Sequence, residues 1–288
     1  MTAGSPALVR DAPAEGADPS ASVDWNEAWR IARGRSPRRA GRDTWDRRAP
    51  SFARSESSTG YVERVLEIMN LEPGLTVLDI GSGAGTLTLP LARRVRSVTA
   101  LDFSPRMLDL LRQGCAREGL ANVAPVLGSW EDDWAELGIA ACDVALASRS
   151  LTVEDLRSAL LKLDRFARRR AFVTAPVGGG PADRRLIEAV GRSYLPGPDY
   201  TYPYNMLRQL GLNPTLAFIS HSYAHEYASV EDAFDRVLWM LPDPSPRELE
   251  RLRDFLARAL VPCPKGFEFA WPHPVTWAVI SWAPRGGP

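Results

Sequence analysis

A short apolar run from Thr76 to Ile80 opens directly into Gly81-Ser82-Gly83-Ala84-Gly85-Thr86. This segment constrains the fold more than any other in the 288 residues. A strand that feeds a glycine-rich turn and then a helix builds a ligand site at the C-terminal edge of a parallel sheet. The glycines let the backbone approach a ligand and take up turns closed to other residues.

The spacing narrows the ligand. A dinucleotide loop follows Gly-x-Gly-x-x-Gly. Here the third glycine, Gly85, comes one residue early, and Thr86 stands where that pattern needs Gly. Asp79 precedes the first glycine by two. Its carboxylate would repel a pyrophosphate, but it suits a ligand with a cationic amino group and a sulfonium. S-adenosylmethionine (SAM) has both and carries no phosphate. A second acid, Asp102, ends the next apolar run about 20 residues on, the spacing of a ribose-binding acid on such sheets. The alternative role for Asp102 is helix entry ahead of Ser104.

Strand-like runs recur at Ser97 to Leu101, Val123 to Leu127, Asp143 to Ala147, Ala171 to Thr174, Thr215 to Ile219 and, last, Val275 to Trp282. Helical patterns separate them. Tyr61, Val62, Val65, Leu66 and Met69 share a helix face that Pro73-Gly74 terminates. Ser104-Pro105 reads as a cap with Pro at the first helical position. Thr152 with Asp155 reads as a capping-box-like start, and Ser245-Pro246-Arg247-Glu248 as a fuller one. Alternating strands and helices imply a mostly parallel sheet covered on both faces. The expected organisation is a disordered tail over 1–23, a helical and linker segment over 24–58, and one α/β domain over 59–288. Trp25 and Trp29, four apart, share a helix face in the second segment. The domain carries a helical insertion at about 226–262, before the closing strand. Ser229 caps its first helix.

Asp79-x-Gly81-x-Gly83-x-Gly85 resembles the first motif of class I SAM-dependent methyltransferases, and Leu101-Asp102-Phe103-Ser104-Pro105-x-Met107-Leu108 resembles their second. The resemblance covers roughly residues 60–175. It implies a Rossmann-like seven-stranded sheet whose last strand is antiparallel, with SAM as the cofactor. It also implies roles. Backbone at Gly81, Ser82, Gly83 and Gly85 lines the methionine part, Asp79 helps hold the amino group, and Asp102 binds the ribose. Phe103 and Met107 border the adenine. Many members place Asp after the third strand; here Ser129, Trp130 and Glu131 follow Gly128, with Ser129 and Trp130 taken as the adenine contacts. Ser148 and Arg149 face the methyl-transfer side.

The acceptor is less legible. Arg149 can clamp a carboxylate or phosphate through two donors, or make a structural ion pair. Tyr200, Tyr202 and Tyr204 lie between elements, as a substrate wall or as packing of a crossover loop; Tyr202 is taken as a catalytic candidate. His221 is a candidate base. His221, His225 and Glu226 lack a third firm partner for a metal site, and His273 between two prolines reads as structural. Trp45 and Tyr61 either close over the SAM pocket or pack in the core.

Composition excludes some classes. The chain has 35 basic and 35 acidic residues and zero formal net charge, so it offers no overall electrostatic footprint for nucleic acid. Three scattered cysteines, Cys115, Cys142 and Cys263, make neither a disulfide framework nor a zinc site. Neither a signal peptide nor an apolar run of membrane-spanning length is evident. The expectation is therefore a cytoplasmic enzyme, monomer or homodimer, that methylates a small molecule. An RNA or protein methyltransferase, or a SAM-binding module without methyl transfer, are the alternatives. An NAD-dependent oxidoreductase is disfavoured by Gly85 and Asp79.

Overall fold

The computed structural model describes residues 22–35, 41, 45–46, 59–222 and 226–286. Most of the tail over 1–23, most of the linker over 36–58 and His225 lie outside them.

Helix α1 (Trp25–Arg35) is followed by α2 (Thr59–Met69), β1 (Thr76–Ile80), α3 (Thr88–Ala92), β2 (Ser97–Asp102), α4 (Pro105–Glu118) and β3 (Val123–Leu127). Next come β4 (Cys142–Ser148), α5 (Leu156–Phe166), β5 (Ala167–Pro176), α6 (Arg184–Ala189), α7 (Thr201–Gln209) and β6 (Thr215–Ser222). The chain continues through α8 (Val230–Val237), α9 (Pro246–Ala259), β7 (Leu260–Cys263), β8 (Gly266–Phe269) and β9 (Pro274–Trp282). Seven strands form one sheet in the order β3-β2-β1-β4-β5-β9-β6. β9 is antiparallel to both β5 and β6, and the remaining pairs are parallel.

Side-chain alternation along the strands builds two cores. Val77, Val98, Leu146, Phe172 and Trp277 pack beneath α2 and α3, whose buried face carries Tyr61, Val65, Met69 and Leu91. Leu78, Ile80, Ala145, Val173 and Ile280 face the other way, toward Trp29 of α1, Leu160 of α5 and Leu207 of α7. Fully burying such a side chain contributes about 1.5–3 kcal/mol. Register is pinned at the sheet's N-terminal edge. Thr76 donates through its N–H and its hydroxyl to Asp143 Oδ2, both at 2.8 Å, and Asp143 N–H returns a bond to Thr76 Oγ1 at 2.9 Å.

Several boundaries follow their chemistry. Ser104 caps α4 by accepting from Met107 N–H, and Ser229 caps α8. Ser245 and Glu248 make a reciprocal capping box on α9. At α5 the cap is Asp155, which accepts from Ser158 N–H, rather than Thr152. The expected loop of tyrosines is also corrected. Thr201–Gln209 is a helix, started by Asp199, whose Oδ1 accepts from Thr201 N–H at 3.0 Å. α1 packs on it, with Trp25 and Trp29 edge-on to Tyr202 at 6.0 and 6.1 Å.

The segment between β6 and β9 contains α8 and α9 and, beyond the expected helices, the hairpin β7–β8. With α6 it closes a separate cluster around Leu186, Tyr227, Phe234, Leu252 and Leu256. β6 runs parallel to β5, so this segment leaves and rejoins the sheet at the edge where the glycine loop lies. Among the described residues, no helix is long and apolar enough to cross a membrane, and no group of His, Cys, Asp and Glu is placed to hold a metal ion.

Candidate active site

The glycine loop bends over the end of β2. The N–H groups of Gly81 and Ser82 donate to Leu101 O at 2.8 and 3.1 Å. Gly81, Gly83 and Gly85 have φ of 71°, 56° and 95°, in the left-handed region that favours glycine. Two of the three are also enclosed by the protein. A Cβ on Gly81 would stand 2.3 Å from Ser150 Cβ, and one on Gly85 would stand 2.6 Å from Leu111 Cδ1. A Cβ on Gly83 would meet nothing within 4 Å among the described residues. That face of the loop is open.

Asp102 is buried and bridges the two motifs. Its Oδ2 accepts from Gly83 N–H at 2.8 Å and its Oδ1 from Ser104 N–H at 2.9 Å. Burial pushes its pKa up from the ordinary carboxylate value against these hydrogen bonds. Asp79 points to the α3 side, 2% exposed, and accepts from Thr88 Oγ1 at 2.7 Å. Burial raises its pKa from 3.8 to about 6; the Thr88 bond opposes the rise and the Asp102 charge adds to it. Ser82 Oγ is buried in the same loop with no hydrogen-bond partner among the described residues. Thus an open glycine cradle, a buried carboxylate and an orphaned hydroxyl lie together. They fit a ligand with an ammonium and hydroxyl groups at the loop, which SAM provides.

Phe103 is half-buried and Met107 buried at the start of α4. Ser104 Oγ donates to Asp46, so the turn holding Trp45 and Asp46 lies against this rim. After β3, Ser129 donates from both N–H and Oγ to Asp132 Oδ2, at 2.8 and 2.9 Å. Trp130 Nε1 donates to Ser150 O at 3.0 Å, tying this loop to the one after β4. The donors of both residues expected at the adenine therefore serve the loop itself. Asp132, which the sequence reading passed over, is the carboxylate they converge on.

Beyond β4, Ser148 Oγ, Tyr61 OH and Thr174 Oγ1 form a hydroxyl triad, with Tyr61 at 2.7 Å from Ser148 and 2.9 Å from Thr174. Thr174 also accepts from Arg149 N–H at 2.9 Å. Thr174 and Thr88 carried no sequence signal, because a lone Thr on a strand or helix reads as ordinary packing. Tyr61 is fully buried, so its ring belongs to the core while its hydroxyl reaches the sheet edge. His221 is a β6 residue paired with Val275. Tyr202 packs its ring between α1 and α7, which is the packing alternative for the tyrosine cluster. His273 Nδ1 lies 3.8 Å from Asp183 Oδ2, and Trp271 Nε1 donates to the same oxygen at 2.8 Å.

A family model described as a methyltransferase domain matches residues 77–169, which span β1 through the start of β5. The chain belongs to the class I SAM-dependent methyltransferases. An uncharacterized protein of Haemophilus influenzae is 36% identical over 217 residues, covering 74% of this chain and 80% of that one. Among solved structures, a putative methyltransferase from Bacillus halodurans superimposes with a TM-score of 0.52 at 14% identity, over 77% of this chain and 97% of its own. The YcgJ protein from Bacillus subtilis gives 0.50 at 16%, over 78% and 97%. These two establish likeness of fold. SAM is the cofactor of this methyltransferase, and the strand order, with antiparallel β9 between β5 and β6, matches the sheet that the motifs implied.

Proposed function

We propose that this methyltransferase acts in the cytoplasm on a small-molecule acceptor, with SAM seated on the glycine loop. The observation that carries the reading is Gly83: its open Cα faces away from protein while its N–H is tied to Asp102. Gly81, Ser82, Gly83 and Gly85 would line the methionine part and Asp79 would hold the ammonium. Asp102 would accept from the ribose hydroxyls through its remaining lone pairs. Phe103 and Met107 would border the adenine, with Ser129, Trp130 and Asp132 shaping the loop at its edge. Bound SAM supplies a methyl group on a sulfonium, ready for in-line displacement.

The protein's own contribution is positioning and exclusion of water. α1 closes on the loop after β4, where Trp29 Nε1 donates to Val153 O at 2.8 Å and Arg33 to Thr152 O at 3.2 Å. The segment from Tyr227 to Phe269 attaches at the same sheet edge. A site flanked by added segments suits a small acceptor better than a polymer, and the balanced charge agrees. Calorimetric titration with S-adenosylhomocysteine (SAH) tests the donor side; micromolar binding with raised thermal stability is expected. Absence of any response to SAM or SAH overturns the reading. Retention of RNA by the protein at moderate salt would replace the small-molecule acceptor with a polyanion.

A further inference from the structure

Arg149 follows β4 directly, and its neighbour Ser150 packs on Gly81 of the cofactor loop. Its backbone has φ of 56°, uncommon for a residue with a side chain, and the Thr174 hydroxyl holds it there. The guanidinium lies over two rings, with Cζ 4.4 Å from the centre of Tyr61 and 5.8 Å from that of Trp277. It is half-buried, and no carboxylate of the described residues lies within ion-pair distance of it. Arg192, at comparable depth, forks onto Glu248 at 2.6 and 3.1 Å, and Arg170, over the Phe172 ring, donates to Asn70 O at 3.1 Å.

Trp277 adds an independent observation. It is 6% exposed, and its Nε1 is buried with no acceptor among the described residues. A cation without an anion thus stands beside an N–H without an acceptor. An oxygen acceptor suits each of them, and a carboxylate suits the guanidinium best. Aromatic rings behind an arginine hold the plane of the guanidinium without neutralising it.

We propose that Arg149, backed by Tyr61 and Trp277, is a carboxylate-binding subsite of the methyl-transfer pocket. The inference rests on the assignment of SAM to the glycine loop. Two sources present this chemistry at that place: the amino-acid carboxylate of the cofactor and an acidic group on the acceptor. The subsite recognises planar anionic oxygen through two parallel N–H donors.

Titration calorimetry on the full chain distinguishes the sources. SAH carries the carboxylate, and 5′-methylthioadenosine lacks it. If the cofactor supplies the anion, Arg149→Gln weakens SAH binding at least tenfold and leaves methylthioadenosine unchanged. If the acceptor supplies it, Arg149→Gln binds both nucleosides as wild type does. SAH-loaded wild type then binds benzoate saturably, whereas the variant does not and benzamide binds to neither. In the case that applies, Arg149→Lys keeps the charge without the fork and gives an intermediate loss. Trp277→Phe keeps the ring without the N–H and gives a smaller one. Equal SAH binding by Arg149→Gln and wild type, together with no benzoate binding to SAH-loaded wild type, overturns the subsite. Wild-type protein that binds no SAH at all removes the cofactor assignment, and the subsite with it.

Discussion

Gly83 N–H donates to Asp102 Oδ2 at 2.8 Å, so the residue at the open centre of the glycine loop is fixed by the acid that ends β2. The two motifs, 19 residues apart, are one hydrogen-bonded unit. This separates the effects of substituting two glycines. Gly83→Ala adds a methyl group that meets no atom of the described residues, so its cost to folding is that of the left-handed φ, about 1–2 kcal/mol. The same methyl group enters the space assigned to the methionine part, and SAH binding is expected to fall at least tenfold. Gly81→Ala sets its Cβ against Ser150 and is expected to destabilise the apo protein by more than Gly83→Ala does. Denaturant melts and calorimetry on the two variants check this. A Gly83→Ala protein that binds SAH like wild type contradicts the placement.

Asp79 makes the apo protein pH-sensitive in an unusual direction. Its folded pKa is about 6 against an ordinary 3.8, because the carboxylate is buried. An acid with a raised folded pKa holds its proton more tightly when folded. Its contribution is whole below the unfolded pKa and is lost as pH rises through about 6. The shift corresponds to about 3 kcal/mol across that window. Asp79→Asn is therefore expected to stabilise the apo fold at pH 7.5 by up to about 3 kcal/mol while weakening SAH. In the wild type, a ligand ammonium favours the ionised carboxylate. SAH affinity should rise about tenfold per pH unit below about 6 and level off above it. A flat affinity profile between pH 4.5 and 7 argues against an Asp79–ammonium contact.

The sheet and the donor loop were legible because their signals are local. Glycine spacing, an acid two residues before it and apolar runs of five residues need no tertiary context. Ser104, Ser229 and Ser245 were legible for the same reason, since capping is decided within one turn. The tyrosines at 200–204 misled because their helix lacks a side-chain cap at Tyr200; its start is held by Asp199 instead. The hairpin of β7 and β8 escaped because Pro262 interrupts the first strand and neither strand exceeds four residues. Trp277 and Thr174 looked like core residues, which they are. Thr174 Oγ1 meets the Tyr61 hydroxyl 113 residues away in sequence, and the Trp277 ring lies beneath the distant Arg149; spacing carries no trace of either.

The segment between β6 and β9 is tied to the turn after α6 by the Arg192–Glu248 pair. Arg192, just past α6, bonds Glu248 on α9 with two donors and also donates to Pro242 O at 2.9 Å. The Arg192 bonds hold the Glu248 carboxyl at a pKa of about 2, and the Ser245 capping bonds add to the effect. An acid with a depressed folded pKa stabilises above its unfolded pKa, near 4.5, and loses that stabilisation as pH falls toward 2. Arg192→Met is expected to raise protease sensitivity between α8 and α9 at pH 7 and to reduce the acid sensitivity of that segment. Limited proteolysis across pH 3–7 reads both. Unchanged cleavage would show that the apolar cluster around Phe234 and Leu252 holds the segment by itself.

Thr174 tests the frame behind Arg149. Its side chain is 1% exposed, its Oγ1 accepts from Arg149 N–H, and it shares bonds with Tyr61 and Ser148. Thr174→Val keeps the shape and removes the hydroxyl. Arg149 N–H then loses its acceptor in a partly buried setting, at a cost of about 1–3 kcal/mol. For a domain of this size that lowers Tm by roughly 2–4 °C per kcal/mol. Without the Thr174 bond, Arg149 loses one restraint on its left-handed backbone, and the guanidinium is held less firmly over the Tyr61 ring. The variant should therefore lose part of whichever carboxylate binding Arg149→Gln abolishes, although residue 174 touches no ligand itself. Ser148→Ala leaves the Arg149 bond in place and serves as the comparison, with a smaller fall in Tm and a smaller loss of carboxylate binding. Equal losses for the two variants would place the effect in the hydroxyl triad as a whole rather than in the Thr174–Arg149 bond.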